Sequence, residues 1–272
     1  MLFAPRGLAA TYRTLTGRRA ALCTRLPRRT RRIRTDRVKM RTMDAIDLTF
    51  LGTGSGEPSP TRNQQGLLLR SATDGWLFDC GEGSQHRLMF THHSPSDIKR
   101  IFISHLHGDH VFGLPGLLCA MSSKSLSNTF PEPAGPRSAA VSSEAPIQIV
   151  GPSGLRTFLY TSLLNTYASM AGKPFQVHEL AGFRYQHLRK SQPVQYPGLH
   201  PFEVPGETIF PEPDGSWVIP IAQSELPFAV RAVELNHTVP TVGWVLTEEP
   251  RPGKLNPQRL LPLIRQHNLG AF

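Results

Sequence analysis

Ile101-Phe102-Ile103-Ser104-His105-Leu106-His107-Gly108-Asp109-His110 carries the strongest structural and chemical signal in this chain. From residue 98 the run is short, mostly apolar and of strand length, and it ends on four metal-competent side chains packed into six residues. A loop at the C-terminal end of a buried strand can aim His105 and His107 at one ion and Asp109 and His110 at a second. Imidazole and carboxylate donors suit Zn2+ at about 2.0–2.2 Å. Two such ions side by side lower the pKa of a bridging water and stabilise both oxygens of a phosphoryl displacement.

A third donor for the first ion is expected far along the chain, at another strand end. His237 fits, because it follows the strand-like Val230-Arg231-Ala232-Val233-Glu234-Leu235. The other histidines, His86, His92, His93, His178, His187, His200 and His267, stand in polar or Pro-rich surroundings and read as surface residues. Upstream, Leu77-Phe78-Asp79-Cys80-Gly81-Glu82-Gly83 ends a strand with an acid and two glycines. Asp79 is positioned there to orient a ligand histidine, the alternative being a turn residue that bonds its own backbone. Gly52-Thr53-Gly54-Ser55-Gly56 imitates a dinucleotide fingerprint, but its spacing is wrong, and Pro58 and Pro60 prevent the helix that such a loop must open.

Strand and helix signals alternate around this centre. Ile46-Asp47-Leu48-Thr49-Phe50-Leu51 alternates apolar with polar, as a half-buried strand does. Further strands are expected at 65–70, 76–79, 98–104, 147–150, 228–233 and 242–246, and helices at 114–121 and 155–167. The fold class is therefore α/β. Prolines concentrate at 131–146 and 193–227, which argues against regular core there, and 178–227 is expected to form an arm or insertion.

Composition bounds the remaining possibilities. No apolar run approaches the ~20 residues that a membrane-spanning helix needs. The three cysteines, Cys23, Cys80 and Cys119, are too few and too scattered for a disulfide scaffold. The net charge of +10 is a property of one end: residues 1–43 hold twelve Arg and one Lys against Asp36, which leaves the rest near −2. Residues 1–43 thus form a basic extension preceding a domain at 44–272. The extension is either an Arg-rich, acid-poor mitochondrial presequence or a stretch upstream of a true start at Met40 or Met43. Placement is expected in the cytoplasm or nucleus, or in mitochondria if the presequence reading holds.

At these residues the chain resembles the short-form tRNase Z (ELAC-type) family of the metallo-β-lactamase superfamily. Besides the histidine motif, the matching segments are Leu48-Thr49-Phe50-Leu51-Gly52-Thr53-Gly54, Pro58-Ser59-Pro60-Thr61-Arg62, Asp79-Cys80-Gly81-Glu82-Gly83, Gly113-Leu114-Pro115-Gly116-Leu117-Leu118 and Arg251-Pro252-Gly253-Lys254-Leu255. The resemblance implies an αββα sandwich with two zinc ions and endonucleolytic removal of the 3′ trailer from precursor tRNA. It implies one zinc on His105, His107 and His237, the other on Asp109 and His110, and a proton-transfer role for Asp109. It also implies a homodimer with a tRNA-gripping arm, for which Lys173, Arg184, Arg189 and Lys190 are the candidate phosphate contacts.

The chain departs from that pattern at its end. The family places a metal-bridging Asp, a histidine that assists the leaving group and a last ligand His beyond the R-P-G-K-L segment. Here no Asp follows Asp214, and His267 is the one histidine beyond that segment. The C-terminal part of the sandwich is therefore expected to be missing, leaving apolar strands uncovered. Two alternatives to the nuclease stay open: another hydrolase of the same fold, and a non-catalytic form that binds tRNA or a full-length partner.

Overall fold

The structure is a computed structural model that describes residues 46–123, 145–168, 173–184, 198–221, 224, 226–248 and 257–267, all within the unit Thr42–Phe272. The extension 1–43, Arg189, Lys190, His187 and the R-P-G-K-L segment at 251–255 lie outside the described residues.

Two antiparallel steps open the chain: β1 (Asp47–Gly52) pairs β2 (Gly66–Arg70), which pairs β3 (Gly75–Phe78). The short helix α1 (Ser84–Leu88) follows. Then come β4 (Ile98–Phe102), the single turn α2 (Gly108–Val111), α3 (Leu114–Ser123), β5 (Ile147–Pro152), α4 (Leu155–Asn165) and β6 (Phe175–Leu180). β3, β4, β5 and β6 run parallel, and the short strands β7 (Glu203–Val204) and β8 (Thr208–Ile209) both add parallel to β6. A second, antiparallel sheet contains β9 (Ser216–Ile219), β10 (Phe228–Leu235) and β11 (Thr241–Glu248), with β10 in the middle. The helix α5 (Pro257–His267) ends the described chain.

Continuous apolar runs place the central strands between two cores, as buried parallel strands require. Leu77, Ile101, Ile103 and Ile149 pack under α1, α3 and α4, against Leu88, Leu117 and Leu159 among others. The opposite side chains, Trp76, Phe78, Phe102 and Val150, face the second sheet, where Phe102 meets Trp244 and Trp76 meets Phe228. The chain therefore builds a helix layer, an eight-stranded sheet and a three-stranded sheet from its described residues. On the outer face of the second sheet Val218, Val233, Leu235 and Val245 are exposed.

Three expectations need correction. The apolar residues of β1 were expected on its buried side, yet Leu48 is 50% and Phe50 62% exposed. Their partners across the ladder are Leu69 and Leu67, so they face the second sheet, whose contacts fall on the strands farther in. The Pro-rich stretch 193–227, expected to lack regular core, contributes β7, β8, β9 and the buried Trp217 and Ile219. Pro205, Pro211, Pro220 and Pro227 sit between successive strands from β7 to β10, where no ladder hydrogen bond is lost. Finally, His93, His178 and His200 are buried. The rings of His178 and His200 accept backbone N–H groups of Glu207 and Phe202 through Nδ1, and burial lowers the basicity of all three histidines.

Candidate metal centre

Parallel strands bring their C-terminal ends to one edge of a sheet, the usual place for a site in an open α/β fold. Asp79 follows the end of β3 there, and the chain runs on from β4 through Ser104 into the histidine loop. His237 reaches the same edge from the second sheet. It lies in the turn at 236–240 between β10 and β11, whose ladder closes on the Leu235–Thr241 pair. The Val242 N–H donates to the Ser104 carbonyl at 2.9 Å and so docks this hairpin over the loop.

The three imidazoles of His105, His107 and His237 form a nearly equilateral triangle, with ring centroids 4.8, 4.9 and 4.9 Å apart. The rings stand at 76–85° to one another, and Nε2 of His237 lies 3.2 Å from Nδ1 of His107. Two donors on one tetrahedral zinc stand about 3.3 Å apart when each bond is about 2.0–2.1 Å, so the spacing fits an ion at the centre of the triangle. His105 is buried, and burial with three neighbouring histidines pushes its pKa down to about 3. It is neutral at physiological pH, with a lone pair to offer.

The second group shares His105 and adds Asp109 and His110, three donors that lie within 4.8 Å of one another. Nε2 of His110 is 3.4 Å from Oδ2 of Asp109. Both residues are held from behind. The Gly56 N–H, at the tip of the glycine-rich turn, donates to Oδ2 of Asp109 at 2.7 Å. Burial would raise Asp109, but that bond and the nearby His110 outweigh it and hold the carboxyl below its ordinary value. Asp79 accepts from the Ser104 N–H at 2.7 Å and from the Ser104 hydroxyl at 2.9 Å, and its Oδ2 meets Nδ1 of His110 at 2.7 Å. Burial would lower His110, and the Asp79 carboxylate reverses this and raises it. The Asp79 contact takes Nδ1, which leaves Nε2 facing the centre.

Asp79 itself has φ 57° and is buried, a left-handed conformation that Asp adopts more readily than most side chains. Gly81 is required at its position, because a β-carbon there would run into the Asp109 carbonyl oxygen. Cys80 lies between them, and burial pushes its thiol up to about 12, so it offers no thiolate.

All six predicted residues, Asp79, His105, His107, Asp109, His110 and His237, thus meet at one edge of the fold. Sequence reasoning missed two others. Ser104 was quoted as part of the strand end, and its place between strand and ligand was the available signal. Gly56 carried no signal beyond its glycine-rich turn, because its partner is 53 residues away. The expected tRNA contacts divide differently. Lys173 is buried and cannot meet a phosphate at the surface, whereas Arg184 is exposed and lies 3.7 Å from Glu234.

Residues 46–129 match the family described as "Anti-Pycsar protein Apyc1". The zinc phosphodiesterase ELAC protein 1 of Bos taurus is 39% identical over 223 residues, covering 80% of this chain and 57% of the relative. The crystal structure of human tRNase Z, short form, superposes with a TM-score of 0.56 at 36% identity, over 75% of this chain and 66% of that one. This is a metallo-β-lactamase fold related to the short-form tRNase Z proteins. Ribonuclease Z of Prochlorococcus marinus (strain MIT 9301) is 32% identical over 76% of the chain. The chain spans only about half the length of these curated tRNase Z relatives, 57% and 51%.

Proposed function

We propose that this centre serves a zinc-dependent endoribonuclease that removes the 3′ trailer from precursor tRNA. The observation that carries the reading is the equal-sided triangle of His105, His107 and His237 set against the fixed pair of Asp109 and His110. Its relatives are called zinc phosphodiesterase, ribonuclease Z and tRNase Z. Zinc bound there would lower the pKa of water and offset the charge that builds on the phosphate.

The protein's own residues prepare the rest. His105 stays neutral, so protons do not compete for its donor atom. Asp79 and Ser104 hold His110 with Nε2 facing the centre. Asp109, kept ionised and anchored by Gly56, is the group assigned to accept a proton as water attacks phosphorus. A longer form of the protein is proposed to work as a homodimer in the cytoplasm or nucleus, or in mitochondria if residues 1–43 direct it there.

A specific observation favours a second reading for the 272-residue chain by itself. Among the described residues the second ion position has Asp109, His110 and a His105 that it must share with the first. The chain alone is therefore expected to bind about one zinc tightly at this centre and to leave the trailer on. A form of the protein with the relatives' full length is expected to cleave precursor tRNA, to stop in EDTA, and to lose activity with Asp109→Ala. Hydrolysis of a thioester or a lactam by that longer form, with RNA left intact, would transfer the centre to another hydrolase.

A further inference from the structure

Away from this centre, Asp47 at the start of β1 meets His92 and His93 in the loop that follows α1. Oδ2 of Asp47 lies 3.4 Å from Nε2 of His92 and 3.2 Å from Nε2 of His93. The three residues offer donor atoms that all lie within 4.8 Å of one another, and none of them belongs to the central groups. We propose that Asp47, His92 and His93 form a second, peripheral site for a divalent d-block cation such as Zn2+, with water completing its coordination.

The spacing is that of ligands on one ion. A tetrahedral zinc at about 2.0–2.1 Å from each donor keeps its ligands about 3.3 Å apart, and the separations of 3.4 and 3.2 Å bracket that value. The site also has a closed side and an open side. The His93 side chain is fully buried, whereas the side chains of Asp47 and His92 are 46% and 74% exposed. An ion can enter from solvent and find one donor already fixed.

The contacts of His93 make a plain ion pair the poorer account. Its Nδ1 is buried and has no hydrogen-bond partner. Its Nε2 edge faces both Asp47 and the Thr49 hydroxyl, which is 2.9 Å away. A neutral ring has one proton to share between those oxygens. Charging both rings is opposed by their separation, since the His92 and His93 centroids are only 3.9 Å apart. Burial, His92 and Arg70 all push His93 toward its neutral form, the form that donates a lone pair.

Arg70 stands directly across the ladder from Asp47 and could have neutralised it. Its guanidinium is instead engaged by Asp97 at 3.3 Å and by the Ala72 carbonyl at 3.2 Å. The carboxylate is thereby left to the two imidazoles. A cation here would tie the edge strand β1, whose Leu48 and Phe50 are exposed, to the loop after α1.

The test is a zinc titration of the whole chain, read as zinc retained per chain and as the zinc-induced rise in Tm. His92→Ala and Asp47→Asn are the variants, since the first removes an exposed ring and the second preserves shape. The wild type is expected to retain one more equivalent than either variant and to show a Tm rise that both lose in part. His105→Ala is expected to keep the peripheral equivalent. Equal zinc in the wild type, His92→Ala and Asp47→Asn, with equal Tm rises, would overturn the proposal and leave an ordinary polar cluster.

Discussion

The two ligand groups of the central site share His105 yet are built in different ways. The second position draws Asp109 and His110 from the same loop, and Asp79, Ser104 and Gly56 brace it from behind. The first depends on His237, which arrives 130 residues after His107 on a hairpin from the other sheet. The residues of one group are therefore gathered as soon as β3 and β4 have paired. The other exists only if the two sheets dock, and its last ligand is exposed at a turn. A perturbation of the docking should empty the first position and spare the second, while a perturbation of the brace should do the reverse.

The largest effect is expected from His107→Ala, which removes a ligand from the first position alone. Zinc affinity there should fall by more than the roughly 100-fold that loss of an outer partner can cause. Competition against a chelator of known affinity measures this. A fall no larger than that of His86→Ala, an exposed histidine outside both groups, would show that His107 is not a ligand.

Asp79→Ala comes next. It removes the acceptor for Ser104 and His110 together, and a drop of about 10–100-fold in affinity is expected. The loss should fall more heavily on the second position, because Asp79 bonds His110 directly and reaches His105 only through the Ser104 hydroxyl. Cobalt substitution reads the two positions through their different absorption, and an equal loss at both would show that they are not independently built.

Val242→Pro should have the smallest effect. The Val242 N–H points out of the hairpin toward the Ser104 carbonyl, so proline removes that docking bond from an edge strand and also trims the buried Val242 side chain. One hydrogen bond contributes about 0.5–1.5 kcal/mol, so affinity at the first position should fall by up to about 10-fold. An unchanged first position would mean that core contacts such as Trp244 on Phe102 hold the hairpin without that bond.

The parts of this site that were legible in the sequence are those whose meaning is local. The histidine motif concentrates its donors in six residues after an apolar strand, and spacing alone says that they share a loop. Asp79 was legible as the end of a strand, and His237 as a histidine at a strand end that the motif needed. Other features depend on partners far away in the chain. His93 looked like a surface histidine because its partners, Asp47 and Thr49, lie more than forty residues earlier. The exposed side of β1 followed from where the second sheet ends, which the alternation of Leu48 and Phe50 cannot express. The strands within 198–221 are two to four residues long and separated by prolines, too short for a periodic pattern to emerge.

One ion held by three imidazoles from two sheets is the feature on which this centre depends. The most direct measurement is anomalous scattering at the zinc edge from crystals of the chain grown with zinc. A peak is expected within about 2.0–2.1 Å of a nitrogen of each of His105, His107 and His237, lost from crystals of His237→Ala. A density map with no peak inside that triangle, or a peak that persists unchanged in His237→Ala, would contradict it.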